Sequence, residues 1–295
     1  MEIQMKFIDL ENILDLFNEK IDLRDKKDAV KLNSGTTSIH FNDVCFSYLH
    51  LKPILNHVNF TINAGQRVAL VGAPGSGKTT IIRLLLRFFD PNSGTIELNG
   101  SNIKDVQQNS LRDIIGLVPQ DCDLFSGDVM TNITYGMSTT DDKVTDAAKL
   151  VDIHDRILDM PDQYSTYVGE RGQMLTREER QRLVIARTIT KDANILIFDE
   201  PTSNLDNIAA AKILRSIKET YSDKKHTVLI ATHNLSMAVD CDRILVLHQG
   251  EIVESGKHID LIRLNGVYTR MWQQQPDHDE ENICMPGLSG HSINS

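Results

Sequence analysis

Residues Gly72 to Thr79 read GAPGSGKT, directly after the apolar run VALV and just before IIRLLLRFF. A G-x-x-x-x-G-K-[ST] segment between a strand and a helix is a loop whose backbone amides cradle phosphates. Lys78 then reaches the outer phosphates, and the Thr79 hydroxyl helps to hold Mg²⁺. Gly72, Pro74, Gly75, Ser76, Gly77, Lys78, Thr79 and Thr80 are accordingly the candidate purine-nucleotide contacts. No other stretch constrains the fold as tightly, because such a loop needs a buried strand feeding a helix.

Two later stretches supply partners for the loop. ILIFDE at 195–200 is an apolar run closing on two carboxylates. From the end of such a strand Asp199 holds Mg²⁺ and Glu200 polarises the attacking water. Read alone, the same segment is also an ordinary acidic turn. TVLIATHN places His233 after a second buried run, at the same edge of a parallel sheet, where ligands bind. A neutral imidazole there can hydrogen-bond a γ-phosphate or hold a water in line, although a single His is more often structural. Gln120, straight after VP, reaches the metal or the water, or is an unremarkable glutamine at a loop start. Tyr48 follows an alternating strand and either stacks on a purine face or contributes only burial; spacing does not choose between them.

Apolar strands alternating with helical sequence imply an α/β fold with a parallel-rich core sheet. IHFNDVCFSY, VNFTI and TIELN are short strands for a smaller antiparallel sheet beside it, and RILVLHQG-EIVESG reads as a late hairpin. A helical insert is expected at about 122–190, with a helix over 179–190. Residues 1–36 are expected to be a helix and connector. There Phe7, Ile8, Ile13, Leu14, Leu16 and Phe17 follow a rough helical stripe before a charged linker. That helix is either the tail of something upstream or is packed on the core. Residues 37–275 form the domain proper, and the polar, turn-rich stretch 276–295 is expected to be disordered.

No run reaches the roughly 18–20 apolar residues of a bilayer span, so the chain forms no helical membrane pore by itself. The N-terminus carries Glu2, Asp9 and Glu11 and has the pattern of neither a signal nor an Arg-rich transit peptide. With 41 acidic against 31 basic residues the net charge is −10, which speaks against bulk nucleic-acid binding. It does not oppose local phosphate binding at a helix start. Cys45, Cys122, Cys241 and Cys284 make no close pair, so a reducing compartment fits better than a disulfide or metal framework.

Taken in order, Tyr48, GAPGSGKT, Gln120, VGERG at 168–172, ILIFDE, SNLD at 203–206 and His233 carry a resemblance. Over about residues 37–275 the chain resembles the nucleotide-binding domain of an ATP-binding cassette (ABC) transporter. GERG, PQDCDLFSGDVMTNITYG and GVYTRMW look like the exporter class, and within it like the half-size mitochondrial and heavy-metal-tolerance group. The resemblance implies a P-loop NTPase cassette with a parallel-rich core sheet, a small antiparallel β subdomain and a helical subdomain. Asp199 would be the Walker B aspartate, Glu200 the catalytic base, Gln120 the Q-loop residue, His233 the switch histidine and Tyr48 the adenine-stacking aromatic. The implied cofactors are ATP and Mg²⁺, and the implied activity is ATP hydrolysis coupled to transmembrane transport. The implied partners are a second nucleotide-binding domain, identical or different, and a transmembrane domain, with no nucleic acid.

MKFIDLENILDLFNEK is similar to the segment joining the last membrane helix of such exporters to their nucleotide domain. Membrane association is therefore expected through a partner or an upstream region, at a mitochondrial or other organelle membrane. The domain would face matrix or cytosol, and this chain alone would be soluble.

One element departs from the family. Its signature reads LSGG followed by a polar run ending in QR. Here the stretch is Leu175, Thr176, Arg177, Glu178, Glu179, Arg180, Gln181 and Arg182, without either glycine. The resemblance implies that this helix start faces the γ-phosphate held by the other subunit, where amides and a hydroxyl donate to it. Thr176 keeps the hydroxyl. Arg177 and Glu178 put side chains where glycine allows close approach, and Glu178 adds a negative charge. Thr176 and Glu179 also form a T-x-x-E capping box, so a well-started helix is expected. Three functional readings follow. The first is an ABC-type ATPase domain, weak or inactive alone. The second is a regulatory module that holds ATP without turnover. The third is a soluble cassette of DNA maintenance or translation, against which the linker helix and the acidic charge speak.

Overall fold

A computed structural model describes residues 23–32, 35–48, 52–201 and 225–275. The striped segment 1–22, the SNLD segment and the stretch 276–295 lie outside these residues, as does Cys284.

IHFNDVCF alternates, and it forms β1 (Ile39–Phe46) with Ile39, Phe41, Val44 and Phe46 turned inward. The alternation slips between Phe41 and Val44, where the ladders on both sides break register and Asp43 takes φ 52°. A bulge of this kind adds a residue without moving the next apolar side chain off the core face. β1 lies between β2 (Leu55–Ile62) and β4 (Ser93–Leu98), with β5 (Ser101–Asn102) beyond β4. All pairs in this sheet are antiparallel, and the Phe41 and Phe60 rings stack across β1 and β2 at 4.5 Å.

The second sheet contains β3 (Arg67–Val71), β6 (Ile115–Val118), β7 (Ile195–Asp199), β8 (Thr227–Thr232), β9 (Arg243–His248) and β10 (Glu251–Gly256). Its order is β10-β9-β3-β8-β7-β6, parallel throughout except for the β9–β10 hairpin. Strands covered on both faces carry unbroken apolar runs. That is why VALV, ILIF and TVLIAT do not alternate: β7 and β8 are buried along their whole lengths.

Helix α1 (Lys78–Leu85) follows β3, and α2 (Gln108–Asp113) precedes β6. The helical insert holds α3 (Val129–Thr134), α4 (Asp141–Leu150), α5 (His154–Leu158) and α6 (Arg177–Lys191). Helices α7 (His258–Leu264) and α8 (Val267–Gln273) close the described chain. Helix α6 starts two residues earlier than its apolar pattern indicates, because the capping box sits at Thr176 and Glu179. Its face from Leu183 to Ala186 packs into one core with Val129, Ile133 and Val144 and with Leu196 and Phe198 of β7. The insert and the parallel sheet therefore share a hydrophobic cluster. Among the described residues no helix is long and apolar enough to cross a membrane.

Candidate functional site

The parallel register brings the chemistry to one edge. Val71 pairs with Thr232, Ala231 with Asp199, and Phe198 with Val118. The strands β3, β8, β7 and β6 thus end side by side, and the next residues deliver the Gly72 loop, His233, Glu200 and Gln120. An open α/β sheet presents its ligand site beyond the carboxyl ends of its strands.

The loop is shaped by its glycines. A Cβ on Gly72 would meet the Leu247 carbonyl oxygen at 2.4 Å and Ser76 Oγ at 2.6 Å, so no larger residue fits. Gly77 stands at φ 112°, a region L side chains rarely adopt, and caps α1 without a side-chain bond. The first amides of α1 are thereby left to an external acceptor. Pro74 and Gly75 form the exposed tip, while Ser76 is buried with an unpartnered hydroxyl. Lys78 is buried. Its ammonium donates to the Gly72 carbonyl at 2.7 Å and the Ala73 carbonyl at 3.3 Å.

Four polar side chains converge on that ammonium and its loop. Glu200 Oε1 lies 3.6 Å from Lys78 Nζ, and Glu200 Oε2 lies 2.6 Å from His233 Nδ1. Glu200 sits at φ 52° with its amide donating to the Ala231 carbonyl, so the chain turns sharply after β7 and points the carboxylate back into the site. Asp199 hydrogen-bonds the Thr79 hydroxyl through its side chain. Burial raises the Asp199 carboxyl above its ordinary value, and the Thr79 bond opposes that rise. Its Oδ1 is buried with no partner. Such an oxygen is costly unless a cation or donor meets it. Thr79 and Asp199 therefore fit a hard divalent cation with oxygen ligands.

Gln120 stands exposed two residues beyond Val118, at the same edge, and among the described residues it makes no hydrogen bond to Lys78, Asp199 or Glu200. Tyr48 lies at the start of α1 on the other side. Its hydroxyl is 3.2 Å from Thr80 Oγ1 and accepts from Arg83 Nη1 at 3.2 Å. Phe46 and Phe89 meet its ring edge-on at 4.9 Å and 5.2 Å. The ring is held upright and remains 39% exposed, so a face is left for a planar partner. Arg83 was invisible in the sequence as a site neighbour, its only signal being a basic residue one turn past Thr79.

At the signature-like segment, Thr176 Oγ1 accepts from the Glu179 amide at 3.1 Å, and Glu179 Oε2 accepts from the Thr176 amide at 2.8 Å. Glu179 also pairs with Arg156 at 2.6 Å. Glu178 is not a bare charge at the helix start, because Arg182 donates to its Oε1 at 2.7 Å and 3.1 Å. Arg182 is in turn fixed on the Val151 and Asp152 carbonyls. The helix start is therefore capped from within the chain, with exposed Arg177 and paired Glu178 in its first turn.

A family model described as "ABC transporter" matches residues 55–203. ATP-binding cassette sub-family B member 6 of Xenopus tropicalis is 46% identical over 281 residues, spanning 95% of this chain and 33% of that protein. The mitochondrial iron-sulfur clusters transporter ATM1 of Chaetomium globosum is 40% identical over 285 residues, spanning 95% of this chain and 47% of that protein. A solved bacterial Atm1-family ABC exporter with ATP bound superposes with a TM-score of 0.87 at 41% identity, over 94% of this chain and 48% of that one. The chain thus spans a third to about half the length of these relatives.

Proposed function

The chain belongs to the ABC transporter family as a nucleotide-binding domain of the subfamily-B exporter kind, and from that premise we propose that it binds Mg·ATP and drives a membrane exporter by hydrolysing it in a composite dimer. One observation carries the reading: Lys78, Asp199, Glu200 and His233 meet at one sheet edge beside a loop with free amides.

In this reading the triphosphate lies along Gly75 to Thr80, and the base stacks on Tyr48. Lys78 turns from the Gly72 and Ala73 carbonyls to the outer phosphate oxygens, which replace Glu200 as its counter-charge. Thr79, Asp199 and Gln120 would hold Mg²⁺, which when bound neutralises charge on the phosphate oxygens. Glu200 accepts a proton from water as that water's oxygen bonds to the γ-phosphorus. The bond to the bridging oxygen breaks, leaving ADP and phosphate. His233 holds the Glu200 carboxylate in place through its Nδ1 contact and presents its other nitrogen to the phosphate.

The α6 start would face the γ-phosphate of a second nucleotide-binding domain, and a transmembrane domain would receive the motion. That the ATM1 relative is mitochondrial supports an organelle membrane. A homodimer would carry two altered signatures. A heterodimer with an intact partner keeps one ordinary site, built from this chain's loop and the partner's signature.

The internally capped α6 start supports a second reading, in which ATP is held without turnover. Calorimetry on the wild type and Lys78→Ala tests the nucleotide site, and strong weakening is expected; equal affinity removes the phosphate-loop assignment. Steady-state turnover, alone and mixed with an intact exporter domain, separates the two readings. Turnover of the mixture above a Glu200→Gln control excludes the second.

A further inference from the structure

The loop that opens at Gln120 is anchored far from Gln120 itself. Asn132, wholly buried in α3, donates from its side chain to the Phe125 carbonyl and accepts from the Phe125 amide, each at 2.9 Å. It also donates to the Asp128 carbonyl at 3.0 Å. Both backbone groups of one loop residue are thus held by one side chain, in the manner of a strand partner. Asn132 is in turn gripped from α6. Arg187 Nε donates to its backbone carbonyl at 2.6 Å, and Arg187 Nη2 donates to its side-chain oxygen at 2.9 Å. The same guanidinium lies 5.3 Å over the Phe125 ring, whose other neighbour is Tyr135, stacked at 3.8 Å.

Helix α6 therefore grips the loop at Phe125, five residues from Gln120, and is capped at its start by Thr176, within the signature-like segment. Its Gln181 side chain also donates to the Pro201 carbonyl, next to Glu200. One rigid helix thus touches the turn carrying Glu200 and the loop carrying Gln120. With its four side-chain bonds satisfied in a dry setting, Asn132 sets where that loop can go; a surface loop would otherwise sample many paths.

We propose that Asn132, clamped by Arg187, is a positioning residue that holds Gln120 in reach of the metal and ties that reach to the orientation of α6. This inference rests on the assignment of Gln120 as a metal-site residue. It reaches the metal only through Gln120, since Asn132 lies under Phe125.

The test is ATP titration by calorimetry on the full chain in a Glu200→Gln background, across a series of Mg²⁺ concentrations. The quantity read is the Mg²⁺ concentration that half-maximally promotes ATP binding. Gln120→Ala is expected to raise it several-fold. Asn132→Ala is expected to raise it comparably, and the double variant no further than the larger single one, because both act through one side chain. Asn132→Asp keeps the acceptor for the Phe125 amide and Arg187 but loses both donated bonds, so it should fall between wild type and Asn132→Ala. It also keeps the test available if Asn132→Ala does not fold. A purely structural role would lower the melting temperature and leave the Mg²⁺ half-point in place. Asn132 variants with a wild-type half-point, beside a shifted Gln120→Ala, overturn the clamp, and so does a double variant whose shift is the product of the two. If Gln120→Ala itself leaves the half-point unmoved, the metal assignment of Gln120 falls, and the clamp falls with it.

Discussion

Replacing Thr176-Arg177-Glu178 by Ser-Gly-Gly restores the family signature and sets two effects against each other. Within the monomer the change is destabilising. Serine caps a helix about as well as threonine, so the bond to the Glu179 amide survives. Two glycines in the first turn cost at most about 1 kcal/mol each. Loss of the half-exposed Glu178–Arg182 pair, four residues apart on one helix, adds about 0.4 kcal/mol. Arg182 is not orphaned, because the Val151 and Asp152 carbonyls and the Asp152 carboxylate still accept from it. The expected loss is about 2 kcal/mol, or a melting temperature lower by about 4–8 °C for a domain of this size. Across the proposed dimer interface the change is expected to be favourable, since two bulky side chains would leave the path of a facing phosphate. In a Glu200→Gln background, sedimentation should show more ATP-bound dimer after the repair despite the weaker fold. Nucleotide affinity of the lone monomer should be unchanged, its own loop being untouched. No gain in dimer would refute the placement of α6 opposite the phosphate. An undiminished melting temperature would refute the energetic account of the helix start.

Tyr48→Ala should weaken ATP binding by about 1–2 kcal/mol and inorganic triphosphate binding far less, because only a base stacks on the exposed ring; equal losses by calorimetry would make Tyr48 a packing residue. Glu179 gives a pH signature. Its partial burial acts to raise its pKa, but Arg156 and the Thr176 amide overcome this and hold it below the ordinary 4.5. A carboxylate with a depressed folded pKa contributes stability in full above its unfolded value, and that contribution is lost as pH falls through the folded one. Urea denaturation at pH 7 and pH 3.5 should therefore show a smaller fall in stability for Glu179→Gln than for wild type, with the variant less stable at pH 7. Parallel falls would mean the Arg156 pair contributes nothing.

What could be read in advance was what depends on near neighbours. VALV, ILIF and TVLIAT announced buried parallel strands because both faces of each strand are covered. T-x-x-E announced its capping box because both bonds span three residues. The convergence of Lys78, Glu200 and His233 followed from parallel strands ending together, given the loop motif. Other features depend on distant partners and left no local trace. The grip of Arg187 on Asn132 joins residues 55 apart, and Arg83 joins Tyr48 from 35 residues away. Glu178 is instructive for the opposite reason. Its partner Arg182 lies at helical spacing and was in view, yet the charge was read against an external phosphate instead of its own helix.

The turn at Glu200 has a consequence for how this protein can change. A residue with a side chain held at φ 52° carries a penalty of about 1–2 kcal/mol that glycine escapes, and its carboxylate is also buried. With nucleotide bound, so that phosphate oxygens serve buried Lys78 as counter-charge in place of Glu200, Glu200→Gly is by folding alone among the more benign substitutions at this edge, and Glu200→Asn is not far behind. Both erase the proposed base. A library of variants sorted in the presence of nucleotide only for heat resistance or soluble yield should therefore drift toward inactive chains at this position. Sorting for turnover should hold the strained glutamate in place and recover stability elsewhere. A stabilised variant that keeps Glu200 is then the more informative one, since its gains must come from residues outside the reacting edge.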